Sequence, residues 1–309
     1  KVSSTTRRHF LIGASATMLA VASTSKSRPV NPQNVELFAH GVASGDPTSD
    51  SVIIWTRLSV LMATKVQWQV ALDPAFSRVV KQGDKLANAD SDFTVKIDVT
   101  GLSAGHTYYY RFSLGELYSE VGRTKTLSVG KLDKLSLAVV SCSNYPFGYF
   151  NVYEHIAADD DIDFVLHLGD YLYEYSRKSW GSASGKLLDR QHVPANEIVT
   201  LADYRARHAQ YKTDQGSRLM HAAHPLIPTW DDHESTNNPY LHGAQNHQKN
   251  EGDWYARRDA SLQAYFEWMP IRDPQRSTDR AKLWRHFQFG DLASLVTLET
   301  RHSGRSKQL

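Results

Sequence analysis

A single cysteine in 309 residues, Cys142, excludes an internal disulfide. Charge of one sign is equally scarce. The 35 Lys and Arg stand against 33 Asp and Glu, a formal net charge of +2, which leaves no electrostatic footprint for nucleic acid. No apolar run reaches the roughly 20 residues that a bilayer demands, so no membrane span is expected. The chain has no Gly-rich phosphate loop, no Gly-x-Ser-x-Gly elbow and no His-Glu-x-x-His pair. Serine-nucleophile and nucleotide-cofactor mechanisms therefore lack support. What is present is ordinary in bulk. With 41 % hydrophobic and 22 % charged residues, a disordered chain, a fibre and a polytopic membrane protein are all excluded. The length suits two domains better than one. The 14 His are more informative, because most lie in the downstream half among Asp and Tyr.

The first residues read as an export leader. Arg7-Arg8 precedes a weakly apolar run from Leu11 to Ala22 that ends in Ala20-Val21-Ala22, the pattern of a cleavable signal peptide. The Arg pair followed by Phe10-Leu11 resembles a twin-arginine signal, an address read by a receptor. Such cargo crosses already folded, so a metal centre would be loaded before export to a periplasmic or secreted location. The chain opens on Lys1 rather than Met, and the amino end is expected to be a few residues short.

Residues 1–34 are accordingly assigned to signal and linker. From 35 to 131 the period is two. Val66-Gln67-Trp68-Gln69-Val70 alternates strictly, as do Phe93 to Val99 and Tyr108 to Phe112, with turn residues between the runs. This predicts a small antiparallel β-sandwich of immunoglobulin or fibronectin size. From 132 to 309 continuous apolar runs at Leu135–Val140, Phe164–Leu168 and Pro225–Trp230 alternate with helical segments near Tyr149–Ala158, Leu201–Tyr211 and 253–268. Strands are expected at Leu283–Phe289 and Leu292–Leu298. The fold class is α/β, a layered domain following the small β-domain. The polar stretches 176–199 and 234–252 are expected to be long functional loops.

Chemistry collects at the carboxyl ends of the three apolar runs. The first ends in Ser141-Cys142-Ser143-Asn144, the second leads into Gly169-Asp170-Tyr171-Leu172-Tyr173, and the third into Asp231-Asp232-His233-Glu234. Ligands of open α/β sheets bind outside such strand ends. Cys, Asp, Tyr and His form a metal-ligand set, and hard oxygens with one soft sulfur favour iron over magnesium alone. Tyr173 reaches the side of Asp170 if the chain turns helically there. Neighbours in an extended chain face opposite ways, so of Asp231 and Asp232 one is expected to bind a given ion, and Asp232 is preferred. His233 is the best candidate proton donor. His167, inside an apolar run, reads as a hydrogen-bonded core residue. The helices at 201 and 254 read as packed elements with solvated charged faces.

These motifs, in this order, resemble the PhoD-type alkaline phosphatases and phosphodiesterases of the metallophosphoesterase superfamily. The resemblance rests on Phe38-Ala39-His40-Gly41-Val42-Ala43-Ser44-Gly45-Asp46-Pro47, Val52-Ile53-Ile54-Trp55-Thr56-Arg57, Ser141-Cys142-Ser143-Asn144-Tyr145, His167 to Tyr175, and Trp230-Asp231-Asp232-His233-Glu234. It extends to Glu267-Trp268-Met269-Pro270 and Phe289-Gly290-Asp291-Leu292. It implies a β-sandwich flanked by helices, with metals at the sheet rim. It also implies a secreted enzyme that hydrolyses phosphate mono- or diesters by metal-activated hydroxide, with Fe(III) and Ca(II) as cofactors. Carried over by position, Cys142, Asp170 and Tyr173 hold the iron, Asp170 and Asp232 hold the second metal, and His233 is catalytic. Asn144, Asp231 and Arg301 are the remaining candidates for substrate or supporting contacts. Glu299 stands where the resemblance would place an Asp. Nothing after Leu298 supplies the late Gly-Asp-x-His-type segment with which the superfamily completes its site, so the chain is expected to be truncated at its carboxyl end. The expected partners are a small phosphate ester, envelope polymers and the twin-arginine export machinery. The alternatives are a non-catalytic envelope-binding remnant and a same-fold phospholipase D or nuclease.

Overall fold

The computed structural model describes residues 36–274 and 280–307. The expected signal and linker lie outside the described residues. Eight strands come first: β1 (Val42–Gly45), β2 (Ser51–Arg57), β3 (Thr64–Ala71), β4 (Val79–Ala87), β5 (Thr94–Thr100), β6 (Thr107–Leu114), β7 (Leu117–Tyr118) and β8 (Gly122–Lys125). β3, β4, β6, β7 and β8 form one antiparallel sheet. β1, β2 and β5 belong to another. The alternation of β6 turns Tyr108, Tyr110 and Phe112 inward, where they meet Val52, Ile54, Val95 and Val99 of the second sheet in one buried cluster.

The second sheet does not stop at residue 131. β9 (Leu137–Val140), β10 (Phe164–His167) and β11 (Leu226–Pro228) continue it in the order β5-β2-β1-β11-β10-β9, joined where Gly45 pairs in parallel with Leu226. Strands from both sides of that position thus share a single six-stranded sheet. A continuous apolar run predicts a strand buried on both faces, but β9 is the edge strand, with Val139 57 % exposed. Within the sheet Val165 pairs with Leu226, and both are fully buried. Truncating Leu226 to Ala would cost about 2–5 kcal/mol and loosen the strand that leads to Asp232.

β12 (Pro239–Tyr240) and β13 (Gly243–Ala244) form a short ladder inside the second long loop. β14 (Arg285–Phe289) and β15 (Ala293–Thr297) form a hairpin whose Phe287 and Phe289 pack on Phe164 and Ile227. Five helices complete the described chain: α1 (Asn151–Ala157), α2 (Ser182–Leu187), α3 (Leu201–Tyr211), α4 (Gln215–Ala223) and α5 (Trp254–Trp268). α3 opens on a capping box in which the Thr200 hydroxyl accepts from Asp203 N–H and the Asp203 carboxylate accepts from Thr200 N–H. Asp214 and Asp253 cap α4 and α5 in the same sense. The charged faces of α3 and α5 are not wholly solvated. Arg207 and Arg257 are buried, their guanidinium groups consumed by carbonyl and carboxylate acceptors, which is the condition under which a buried charge is tolerated. No helix among the described residues is long and apolar enough to cross a membrane.

Candidate metal centre

β9, β10 and β11 are mutually parallel, so their carboxyl ends share one rim. The loops beyond them are joined by backbone bonds. Cys142 N–H donates to Gly169 O at 3.1 Å, and Ser143 N–H donates to Asp170 O at 3.1 Å. Cys142 and Asp170 both take left-handed backbone angles, with φ of 61° and 52°. Such conformations cost on the order of 1–3 kcal/mol each and gather at functional sites.

This geometry places Asp170 at the hub. Its Oδ2 accepts from the Tyr173 hydroxyl at 3.1 Å and lies 3.6 Å from Cys142 Sγ, while Oδ1 accepts from His233 N–H at 3.3 Å. Tyr173 arrives without the helical turn expected from its spacing, because residues 168–174 form an irregular loop. Asp170, Asp232 and His233 each offer one ligand atom, all within 4.8 Å of one another. Burial and the neighbouring Asp232 charge push the Asp170 carboxyl above its ordinary range, against the pull of His233. Burial opposes ionisation of Asp232 as well, but Asn238 N–H at 3.0 Å and the charges of His233 and Arg301 hold it below that range. The Tyr173 phenol is raised by burial and by the Asp170 charge.

His233 is fixed from behind. Its Nδ1–H donates to Glu174 Oε2 at 2.7 Å, and Nε2 lies 3.8 Å from Asp232 Oδ2. The ring lies between Tyr173 and Tyr175, at 4.3 and 5.4 Å between centroids. Burial would lower this imidazole, but the Glu174 bond and the nearby carboxylates push it up to about 9. Glu174 is fully buried and also accepts from Asn237 N–H at 2.7 Å and Asn246 Nδ2 at 2.8 Å. Neither Glu174 nor Glu234 was singled out from the sequence. Glu234 ties the two loops together by accepting from Tyr171 N–H at 2.7 Å and Asp231 N–H at 2.9 Å. The available signal was an acid inside an aromatic run, Tyr171 to Tyr175, which is costly unless paired.

Asp231 and Asp232 do not face opposite ways. The chain leaves its extended form after β11 and turns, with Ser235 and Thr236 N–H both donating to Asp232 O at 3.0 Å. Arg301 therefore spans both acids, with Nε 2.6 Å from Asp231 and Nη2 3.3 Å from Asp232. Asp232 is buried in the cluster and Asp231 is partly exposed. Asn144 is buried and accepts weakly from the Tyr211 hydroxyl at 3.5 Å, leaving its Nδ2 without a partner. Glu299 has a structural task. It accepts from the N–H groups of Arg301, His302, Ser303 and Gly304 and from the Trp230 indole, closing the turn that presents Arg301. His167 is a core residue, fully buried, with Nε2 3.1 Å from the Tyr153 hydroxyl.

The donor set suits cations. Two carboxylates, an imidazole, a phenol and a thiol converge, and two neutral donors crowd one Asp170 oxygen in the place a positive charge would neutralise. A family model described as "PhoD-like phosphatase" matches residues 137–309, and one described as "PhoD-like phosphatase, N-terminal domain" matches residues 22–128. This chain belongs to the PhoD-like phosphatase family. Alkaline phosphatase D of Bacillus subtilis (strain 168) is 41 % identical over 276 residues, which is 85 % of this chain and 46 % of that relative. A solved structure of PhoD is similar at TM-score 0.80 and 40 % identity, covering 87 % of this chain and 53 % of that one. The chain spans about half the length of these relatives. Its PhoD-like fold is thus a mixed α/β structure with several sheets.

Proposed function

We propose that this chain carries the hydrolytic centre of a secreted phosphatase or phosphodiesterase. The supporting observation is the convergence of Asp170, Asp232 and His233 at the rim, with Cys142 and Tyr173 on Asp170. In this reading Cys142, Asp170 and Tyr173 would hold Fe(III), and Asp170 and Asp232 would hold Ca(II). When bound, the cations supply Lewis acidity toward a phosphoryl oxygen and an attacking water. The residues supply position and protons. Glu174 fixes His233 so that Nε2–H faces the carboxylate cluster, where it donates to the departing alkoxide. Arg301, held by Asp231 and Asp232, aligns the phosphoryl group, and the unpartnered Asn144 amide offers a further donor. Catalysis is then mostly positioning and electrostatics.

A metallophosphoesterase-like layered domain over 132–309 follows an immunoglobulin-like β-domain over 35–131 with which it shares the six-stranded sheet, and a twin-arginine signal exports the protein. The test is hydrolysis of bis(p-nitrophenyl) phosphate by the complete reading frame that contains this chain, supplied with iron and calcium. Turnover is expected, falling about 100- to 10,000-fold in His233→Asn. A complete protein without turnover, or a His233→Asn variant as active as the parent, would overturn the reading.

A further inference from the structure

Beside the metal centre stands a pair of aromatic rings that the proposed chemistry does not use. Phe147 and Trp180 are 47 % and 53 % exposed, and their ring centroids lie 4.9 Å apart. The indole continues inward to Tyr173 at 5.4 Å and Tyr175 at 5.7 Å, and these two rings flank His233. One aromatic wall therefore runs from the candidate proton donor to the surface.

The exposed end of this wall is built rather than loose. Phe147 ends the short helical turn Tyr145–Phe147, and Trp180 lies in the loop between Tyr175 and α2. Pro146 packs on Gly181 of that loop and on Gly185 of α2, where an added Cβ would lie 3.1 Å from Pro146 Cβ in both cases. Arg190 locks the turn from below. Its guanidinium covers the Tyr145 ring at 3.6 Å, donates to Tyr145 O at 2.9 Å and pairs with buried Asp214 at 2.8 Å. Arg207 fastens the loop by donating to the carbonyls of Tyr173, Tyr175, Val193 and Pro194. Two adjacent, half-exposed rings anchored in this way present a flat apolar surface that a ligand can cover.

We propose that Phe147 and Trp180 form a stacking subsite for a planar aromatic group, aryl or heterocyclic, carried by the phosphate ester. The subsite rests on the hydrolytic reading above, because its wall ends at His233. Phe147, Tyr173 and Tyr175 meet the indole at 64°, 56° and 77°, so none of the three stacks on it, and a flat partner can lie parallel to the half-exposed indole. Ring stacking on an exposed aromatic is sequence-tolerant and strong enough to set a preference of about tenfold.

The test uses two non-hydrolysable probes, phenylphosphonate and methylphosphonate, titrated calorimetrically into the full chain supplied with iron and calcium. Phenylphosphonate is expected to bind about tenfold more tightly. Trp180→Ala should reduce that ratio to about one, and Trp180→Phe should restore most of it. Trp284→Ala, at a half-exposed indole outside this wall, should leave the ratio as it was. Equal binding of both phosphonates overturns the subsite and leaves the hydrolytic reading standing. Binding of neither overturns both. A preference that survives in Trp180→Ala overturns the assignment to this wall.

Discussion

Gly169 leaves room for the backbone of Asp231: a Cβ at Gly169 would lie 2.2 Å from the Asp231 nitrogen and 2.6 Å from the Trp230 carbonyl carbon. Gly169 also has φ of 106°, which side chains rarely adopt. The loop after β10 therefore lies directly on the loop after β11, and Asp170 comes beside Asp232 and His233.

Gly169→Ala should cost about 2–3 kcal/mol through overpacking and backbone strain. It should also lower cation binding more than a remote variant of equal stability does. Denaturant titration with and without calcium reads both effects. A stability change under about 0.5 kcal/mol would show that the two loops are not in contact.

The Glu174–His233 pair predicts a raised imidazole. In the metal-free chain the His233 proton signals should titrate near 9, and Glu174→Gln should move the midpoint down by at least one unit. The sign follows from linkage. A pKa raised above the ordinary value of about 6.5 contributes stability that is complete below that pH and is lost as pH rises through about 9. A His233 that titrates at the same pH in both proteins would detach it from Glu174.

Glu234 offers a sharper substitution than its shape suggests. Both oxygens accept backbone N–H bonds, from Tyr171 and from Asp231. Glu234→Gln turns an NH2 toward one of those donors and should cost about 1–3 kcal/mol despite being isosteric. Equal melting temperatures for parent and variant would mean that Glu234 is protonated and its bonds are dispensable. Burial and the Asp170 charge do push its carboxyl up to about 8, so the comparison belongs at pH 9 or above.

The sequence exposed what is local. Strict alternation marked β3, β5 and β6, since those strands bury one face and wet the other. β4 escaped because Val79 to Ala87 carries Lys, Gln, Gly and Asp along an outer strand with little buried surface. α4 escaped because Gly216 and Ser217 stand in its first turn. The pairing of Gly45 with Leu226, which makes one sheet of two segments, is non-local and leaves no trace in periodicity.

The site divides along the same line. Residues at strand ends, Cys142, Asp170, Tyr173, Asp232 and His233, were legible because apolar runs point at them. The carboxylates that act through other residues were not. Glu174 and Glu234 look like ordinary loop acids until their N–H donors, some distant in sequence, are known, and Glu299 stands out only as a replaced Asp, with its turn-closing bonds invisible. The turn at Asp232 likewise decided that Arg301 meets both neighbouring acids, against the extended-chain expectation.

Glu299 predicts an acid-sensitive turn. Burial works against its ionisation, but the Ser303 hydroxyl, the Trp230 indole and four backbone N–H groups bring its carboxyl down to about 2. A depressed pKa contributes stability that is full above the ordinary value near 4.5 and is lost as pH falls through about 2. Glu299→Gln should therefore flatten the melting-temperature profile between those limits and free Arg301 from its place. An unchanged acid limb would remove Glu299 from the account.

If the rim cluster is a metal centre, elemental analysis of the purified protein finds its ions. The chain, purified from cells supplied with iron and calcium, should carry near-stoichiometric iron with calcium beside it. Asp170→Asn should lose both while keeping its fold by circular dichroism. Folded parent protein that holds neither metal, or an Asp170→Asn variant that holds as much as the parent, would contradict the account.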